Sequence, residues 1–219
     1  MEVRLVAVPP EGFESYFQHR ASRFAAFYKS EPVSRLLGRG ALFDRLRFAV
    51  DTAIALSAES VLDVGCGSGP LFAPLASRGI HVTGIDPAEA MVALASEEAS
   101  IYPGLVDVER RGWEEITEVG TYDLAVALGV FDYVDRPVEL LSRMGAAAAH
   151  VVCSFPSHGI RTGLRKRRYA RRGVGVRGYA VSDFDRMASE AKMKVIDRLA
   201  LGRAGYAVHF GPNEPANPD

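Results

Sequence analysis

The chain has 219 residues, 48% of them hydrophobic, and a formal net charge of −1. This length and apolar content suit one α/β domain with a sizeable core. The near-zero charge gives no support to a nucleic-acid or membrane-surface protein, and no apolar run reaches the roughly 18 residues of a transmembrane helix.

The apolar stretch in residues 1–10 is too short for a signal peptide. The two cysteines, Cys66 and Cys153, fall in predicted core elements. Free thiols in a reducing, cytoplasmic setting are expected. No second cysteine or histidine stands at ligand spacing from Cys66, so no metal is expected.

Residues 1–10 read as extended, with Pro9-Pro10 as punctuation. From Phe13 onward, Tyr16, Phe17, Arg20, Phe24, Phe27 and Tyr28 recur at three and four residues, as on one helix face. This aromatic stripe is either a helix packed on the following domain or a lid over its site. A second helical segment spans 32–56, broken at Gly38-Arg39-Gly40.

The stretch Val61-Leu62-Asp63-Val64-Gly65-Cys66-Gly67-Ser68-Gly69-Pro70 organises the chain. A short branched-apolar run reads as a buried strand, and glycines at every second position lead into a helical pattern. Strand, tight glycine turn and helix start make the first turn of a nucleotide-binding βα unit. The third glycine comes one residue too early for a dinucleotide loop, and Pro70 stands where that loop has Gly or Ala. A second strand, 81–86, ends in Asp86, about twenty residues past the loop, where a carboxylate accepts hydrogen bonds from ribose hydroxyls. Pro87 suits the first position of the helix that follows, 88–99, with Met91, Val92 and Leu94 inward.

Together, Asp63 to Gly69 and Gly84-Ile85-Asp86 resemble motif I and the next acidic motif of class I S-adenosylmethionine-dependent methyltransferases. The resemblance implies a doubly wound, Rossmann-like seven-stranded α/β sheet with a reversed C-terminal strand, preceded by an N-terminal helical lid. It divides the chain into a lid segment, 1–58, a cofactor-binding core, 59–211, with a basic insertion at 156–180, and a mobile tail, 212–219.

The resemblance also implies site roles. Gly65, Cys66, Gly67 and Gly69 bring the backbone to the methionyl and ribose parts of the cofactor. Asp63 supports its amino group, Asp86 grips the ribose, and Pro87 and Met91 follow. Arg23 or Tyr28 holds its carboxylate. Leu128 and Gly129, closing a fourth strand at 122–128, supply backbone near the methionine moiety. After a third strand at 105–109, members of the family carry Gly-Asp; this chain has Gly112-Trp113. That departure leaves the adenine amino group without an assigned partner, and Trp113 either stacks on the purine or fills the core or surface.

In a doubly wound sheet, ligands sit beyond the carboxyl ends of the strands. Phe131, Asp132 and Tyr133 are therefore placed to meet methyl group or acceptor. His19, Tyr28, Asp132, Tyr133 and His158 are the candidates for a general base. Tyr16, Phe131, Arg161 and Tyr169 are candidates for acceptor binding. A fifth strand covers 150–155. Residues 161–177 then hold eight of the chain's 26 Lys and Arg. Such a segment is a solvated face, a cradle for an anionic small molecule, or an RNA surface. Ser182 reads as the N-cap of a last helix with Asp185 three residues on. Residues 194–199 and 206–210 read as a terminal hairpin.

The expected function is methyl transfer from S-adenosyl-L-methionine, leaving S-adenosyl-L-homocysteine, to a small and anionic acceptor, O- or N-directed. The alternative is an RNA-directed methyltransferase or an RNA-binding protein using 161–177.

Overall fold

The computed structural model describes residues 21, 25–28, 30–159, 163 and 175–213. Tyr16, His19, Arg23, Arg161 and Tyr169, most of the basic insertion and residues 214–219 lie outside them.

Helices α1 (Glu31–Leu36) and α2 (Ala41–Ala55) come directly before the sheet. The glycine-bounded turn at 38–40 separates them. In α2, Leu46, Ala49, Val50 and Ala53 are buried, the i, i+3, i+4, i+7 spacing of a helix with one apolar face. Then follow β1 (Ser60–Val64), α3 (Phe72–Ala76), β2 (His81–Asp86), α4 (Glu89–Ala99), β3 (Val106–Arg110), β4 (Tyr122–Ala127), α5 (Pro137–Ala147), β5 (Ala148–Pro156), α6 (Val181–Glu190), β6 (Met193–Ala200) and β7 (Gly205–Pro212).

The strands form one sheet in the order β3-β2-β1-β4-β5-β7-β6. β1 to β5 are parallel, whereas β7 runs antiparallel between β5 and β6. Four of the five residues of β1 and four of the six of β4 are buried. Strands covered on both faces read as unbroken apolar runs. One face packs α5 and α6 through Leu140, Leu141, Met144, Phe184 and Met187. The other packs α2 and α3 through Leu46, Val50, Phe72 and Leu75.

Three sequence-based boundaries move. α4 takes Ala88 as its N-cap, so Pro87 lies one residue outside the helix; the Asp86 carboxylate accepts from Ala88 N–H at 2.9 Å and starts the helix there. α6 begins before Ser182: its N-cap is Ala180, whose N–H donates to the Asp183 carboxylate at 2.8 Å. A backbone donor and an acidic side chain close this cap without a hydroxyl. The strands of the terminal hairpin are longer than their apolar cores, because ladder hydrogen bonds continue past the last apolar residue.

The parallel order reverses between β1 and β4, which leaves a crevice above their carboxyl ends. A cavity of about 1010 Å³ occupies it. Among the described residues, no helix is long and apolar enough to cross a membrane.

Candidate active site

The cofactor half of the cavity is built by the ends of β1, β2 and β4. Asp63, near the end of β1, lines it and is only 3% exposed. Burial, and then the neighbouring Asp86, push its carboxyl up to about 7, while Arg45 acts in the opposite direction. Asp86, last residue of β2, accepts from Gly67 N–H at 3.1 Å with one oxygen and from Ala88 N–H with the other. The residue that pins the glycine turn also lines the cavity.

The three loop glycines do different work. All have positive φ, the left-handed region that favours glycine. A side chain on Gly67 would meet no protein atom within 4 Å and would project into open space. A side chain on Gly69 would collide with the Phe72 ring, and Gly69 does not line the cavity. Gly69 makes room for the core aromatic of α3. Gly65, Cys66, Pro87, Met91, Gly112, Trp113, Leu128 and Gly129 all line the cavity. Both cysteines are free and buried, and burial pushes each thiol well above its ordinary value.

Arg45, on α2, is the site residue that sequence reasoning missed. Its Nη2 donates to the Tyr28 hydroxyl at 2.9 Å and its Nη1 to Ser154 Oγ at 3.4 Å. Ser154 Oγ also accepts from Gly129 N–H at 2.8 Å. Among the described residues, its buried Nε has no hydrogen-bond partner. Burial works against the charge, but Tyr28, Asp132 and Tyr133 offset it and the guanidinium stays protonated. Gly129, at φ 89°, leaves space for it: a Cβ there would lie 3.0 Å from Arg45 Nη1. The site thus holds a buried cation hydrogen-bonded to neutral hydroxyls, with the buried Asp63 carboxyl on the same cavity wall.

The other half of the cavity is lined by Tyr28, Asp132, Tyr133 and Phe155, the turn at 38–39 and the turn at 201–204. Among the base candidates, Tyr28, Asp132 and Tyr133 therefore come together. His158 does not: it is exposed on the loop after β5, its N–H donating to Tyr179 O. Phe131 is also corrected. Its side chain is fully buried, 4.6 Å centroid to centroid from Phe155, and does not line the cavity. The Tyr179 hydroxyl donates to its carbonyl at 3.0 Å. Trp113 opens a short 3-10 helix (Trp113–Glu115), with the Arg136 guanidinium 5.2 Å from its ring centroid. From the basic segment, Arg177 donates to Asp135 O at 2.7 Å and its N–H to Asp132 O at 2.8 Å, which ties it to the loop after β4. No group of three or more His, Cys, Asp or Glu converges as a metal site among the described residues.

Residues 62–150 match the family model of a methyltransferase domain. The match spans 89 of the 219 residues, and the sheet order and glycine loop agree with the resemblance to class I S-adenosylmethionine-dependent methyltransferases. The ubiquinone biosynthesis O-methyltransferase of Marinobacter nauticus is 33% identical over 96 residues, 42% of this chain and 40% of that protein. The enzyme of the same name from Methylobacterium nodulans is 37% identical over 121 residues, 54% of this chain and 45% of that protein. The chain thus spans about half the length of the curated relatives it matches, or less. Among solved structures, magnesium protoporphyrin IX methyltransferase from Synechocystis, with bound S-adenosylhomocysteine, superposes with a TM-score of 0.75 at 18% identity, covering 92% of this chain and 98% of that one. The 1,6-didemethyltoxoflavin-N1-methyltransferase of Burkholderia thailandensis gives a TM-score of 0.69 at 17% identity, covering 98% and 94%. At these identities the structural likeness bears on the fold.

Proposed function

We propose that this protein is an S-adenosylmethionine-dependent methyltransferase that acts on a small, anionic acceptor at oxygen or nitrogen. The observation that carries the reading is the placement of Asp63 on β1, Asp86 at the end of β2 and Arg45 on α2 as lining of one cavity. That arrangement matches a ligand with an amino acid at one end and a ribose at the other. Asp63 takes the ammonium, Arg45 the carboxylate, and Asp86 the ribose hydroxyls. Trp113 offers a flat ring at the purine end, in place of a polar partner.

When bound, S-adenosylmethionine supplies an activated methyl group, so the protein has little covalent chemistry to perform. Its work is to hold the acceptor nucleophile about 3 Å from the methyl carbon, in line with the departing sulphur, and to exclude water. Asp132 and Tyr133 line the acceptor half beside Arg45 and are in place to take a proton from a hydroxyl or ammonium acceptor. A carboxylate acceptor needs no such transfer. The enzymes in the comparison act, by name, on ubiquinone precursors, a magnesium porphyrin and a toxoflavin precursor, which supports a small-molecule acceptor.

The test is equilibrium binding of S-adenosylhomocysteine to the wild type and to Asp86→Asn, with melting temperature as the control for folding. A folded variant with strongly weakened affinity is the expected result. A folded variant with unchanged affinity removes Asp86 from the site and the ribose assignment with it.

A further inference from the structure

The cavity wall farthest from the cofactor half along the sheet is the turn between β6 and β7. A short 3-10 helix (Gly202–Ala204) fills it. Leu201 N–H donates to Gly205 O at 2.8 Å, and Ser157 Oγ donates to Arg203 O at 3.4 Å. Gly205, at φ 136°, lies so close to the Phe155 carbonyl that a Cβ would collide with it. The backbone of the turn is therefore pressed onto the carboxyl end of β5, and Leu201, Arg203 and Ala204 line the cavity, with Arg203 exposed.

The charges lining this cavity are mostly committed. Arg111 pairs with Glu118 at 2.7 Å and with Glu109 at 3.2 Å. Arg136 pairs with Glu139 at 2.6 Å and reaches Glu114 at 4.0 Å. Asp135 meets Arg177 at 3.8 Å. Arg45 is coupled to Asp132 and Asp63. Two lining arginines remain, Arg203 on the β6–β7 turn and Arg39 on the turn between α1 and α2. Among the described residues, neither has a carboxylate partner. Arg39 lies flat over the Phe27 ring, 4.0 Å from its centroid. Stacking holds the guanidinium plane by its face and leaves its N–H edges for an acceptor.

We propose that Arg203, with Arg39 lining the same cavity, selects an acceptor that carries a carboxylate. This deepens the methyltransferase reading and rests on it. A guanidinium edge recognises a carboxylate bidentately, which gives orientation as well as attraction. A carboxylate held at the β6–β7 turn places the rest of the acceptor in the half of the cavity lined by Tyr28, Asp132 and Tyr133.

The test uses Trp113, the chain's one tryptophan, which lines the same cavity. Protein saturated with S-adenosylhomocysteine is titrated with 4-hydroxybenzoate, 3,4-dihydroxybenzoate and 1-naphthoate, each paired with its own carboxamide, and tryptophan fluorescence is followed. The expected result is that the acids bind about tenfold or more tightly than their amides. Arg203→Gln abolishes that gap, Arg203→Lys keeps part of it, and Arg39→Gln narrows it. Affinity for S-adenosylhomocysteine stays unchanged in all three. Acids and amides that bind alike, neither binding while S-adenosylhomocysteine does, or a gap unchanged in both Gln variants overturns the selection by arginine and leaves the methyltransferase reading standing. A wild type that fails to bind S-adenosylhomocysteine overturns both.

Discussion

Arg45 donates to the Tyr28 hydroxyl at 2.9 Å, and the same guanidinium lies over Gly129 at the end of β4. The segment that precedes the sheet and the central strand of the fold therefore meet at one cation, beside the buried Asp63.

Replacing that cation tests its role. Arg45→Met keeps most of the stem that packs beneath the cavity and removes the donors. Hydrogen bonds to charged groups contribute about 1.5–3 kcal/mol. Affinity for S-adenosylhomocysteine is expected to fall by roughly ten- to hundredfold. Tyr28→Phe removes one neutral partner only and is expected to weaken binding less. Calorimetry on both variants checks the order; equal affinity in Arg45→Met and wild type contradicts it.

Asp63 makes cofactor affinity depend on pH. Its carboxyl is raised from 3.8 to about 7 by burial and by Asp86, so the free protein holds a proton there at mildly acidic pH. Its contribution to the stability of the free protein is present below 3.8 and is lost as pH rises through about 7. An ammonium group needs the ionised form, so binding releases that proton and affinity rises with pH through the same range. In Asp63→Asn the rise is expected to flatten. A pH slope that survives in the variant assigns the proton elsewhere.

A second titrating site lies on the sheet face that α2 covers. His150 Nδ1 stands 3.0 Å from His209 Nε2, between β5 and β7. Burial and then His150 lower His209 from 6.5 to about 4, with Asp197 opposing. Its neutral form stabilises the fold above pH 6.5, and that contribution is lost as pH falls through about 4. Melting temperatures across this window should fall less steeply for His209→Gln than for the wild type. Parallel curves would show that this pair does not govern acid stability.

Phe131 is expected to act on stability rather than on acceptor affinity. It is fully buried against Phe155. Phe131→Ala should cost about 3–5 kcal/mol of unfolding free energy while S-adenosylhomocysteine affinity is retained where the variant is folded. Chemical denaturation measures the first and calorimetry the second. An unaltered denaturation midpoint would place the ring outside the core.

The legible parts of the fold are those written in short stretches. The run from Val61 to Gly69, the strand ending at Asp86 and the apolar strand from Tyr122 carry their structure locally, through strand periodicity and glycine spacing. The site's charged partner did not show. Arg45 sits on an amphipathic helix where a cation reads as a solvated face, and only the packing of α2 over β4 and β5 turns it inward. Ser154 is equally silent, a single hydroxyl in an apolar strand. Spacing does not say whether the missing side chain at Gly69 makes room for a ligand or for Phe72. Phe131 was misread because its neighbours Asp132 and Tyr133 line the cavity while its own side chain turns into the core. The cap of α6 was misplaced because a search for a hydroxyl finds Ser182, whereas Asp183 meets the N–H of Ala180.

The most direct measurement is a calorimetric titration of the wild-type protein with S-adenosylmethionine and with S-adenosylhomocysteine, with NAD as control. Micromolar binding of the first two, and none of NAD, is the predicted result. Absence of binding by both would contradict the account, because Asp63, Arg45 and the glycine turn would then serve the fold alone.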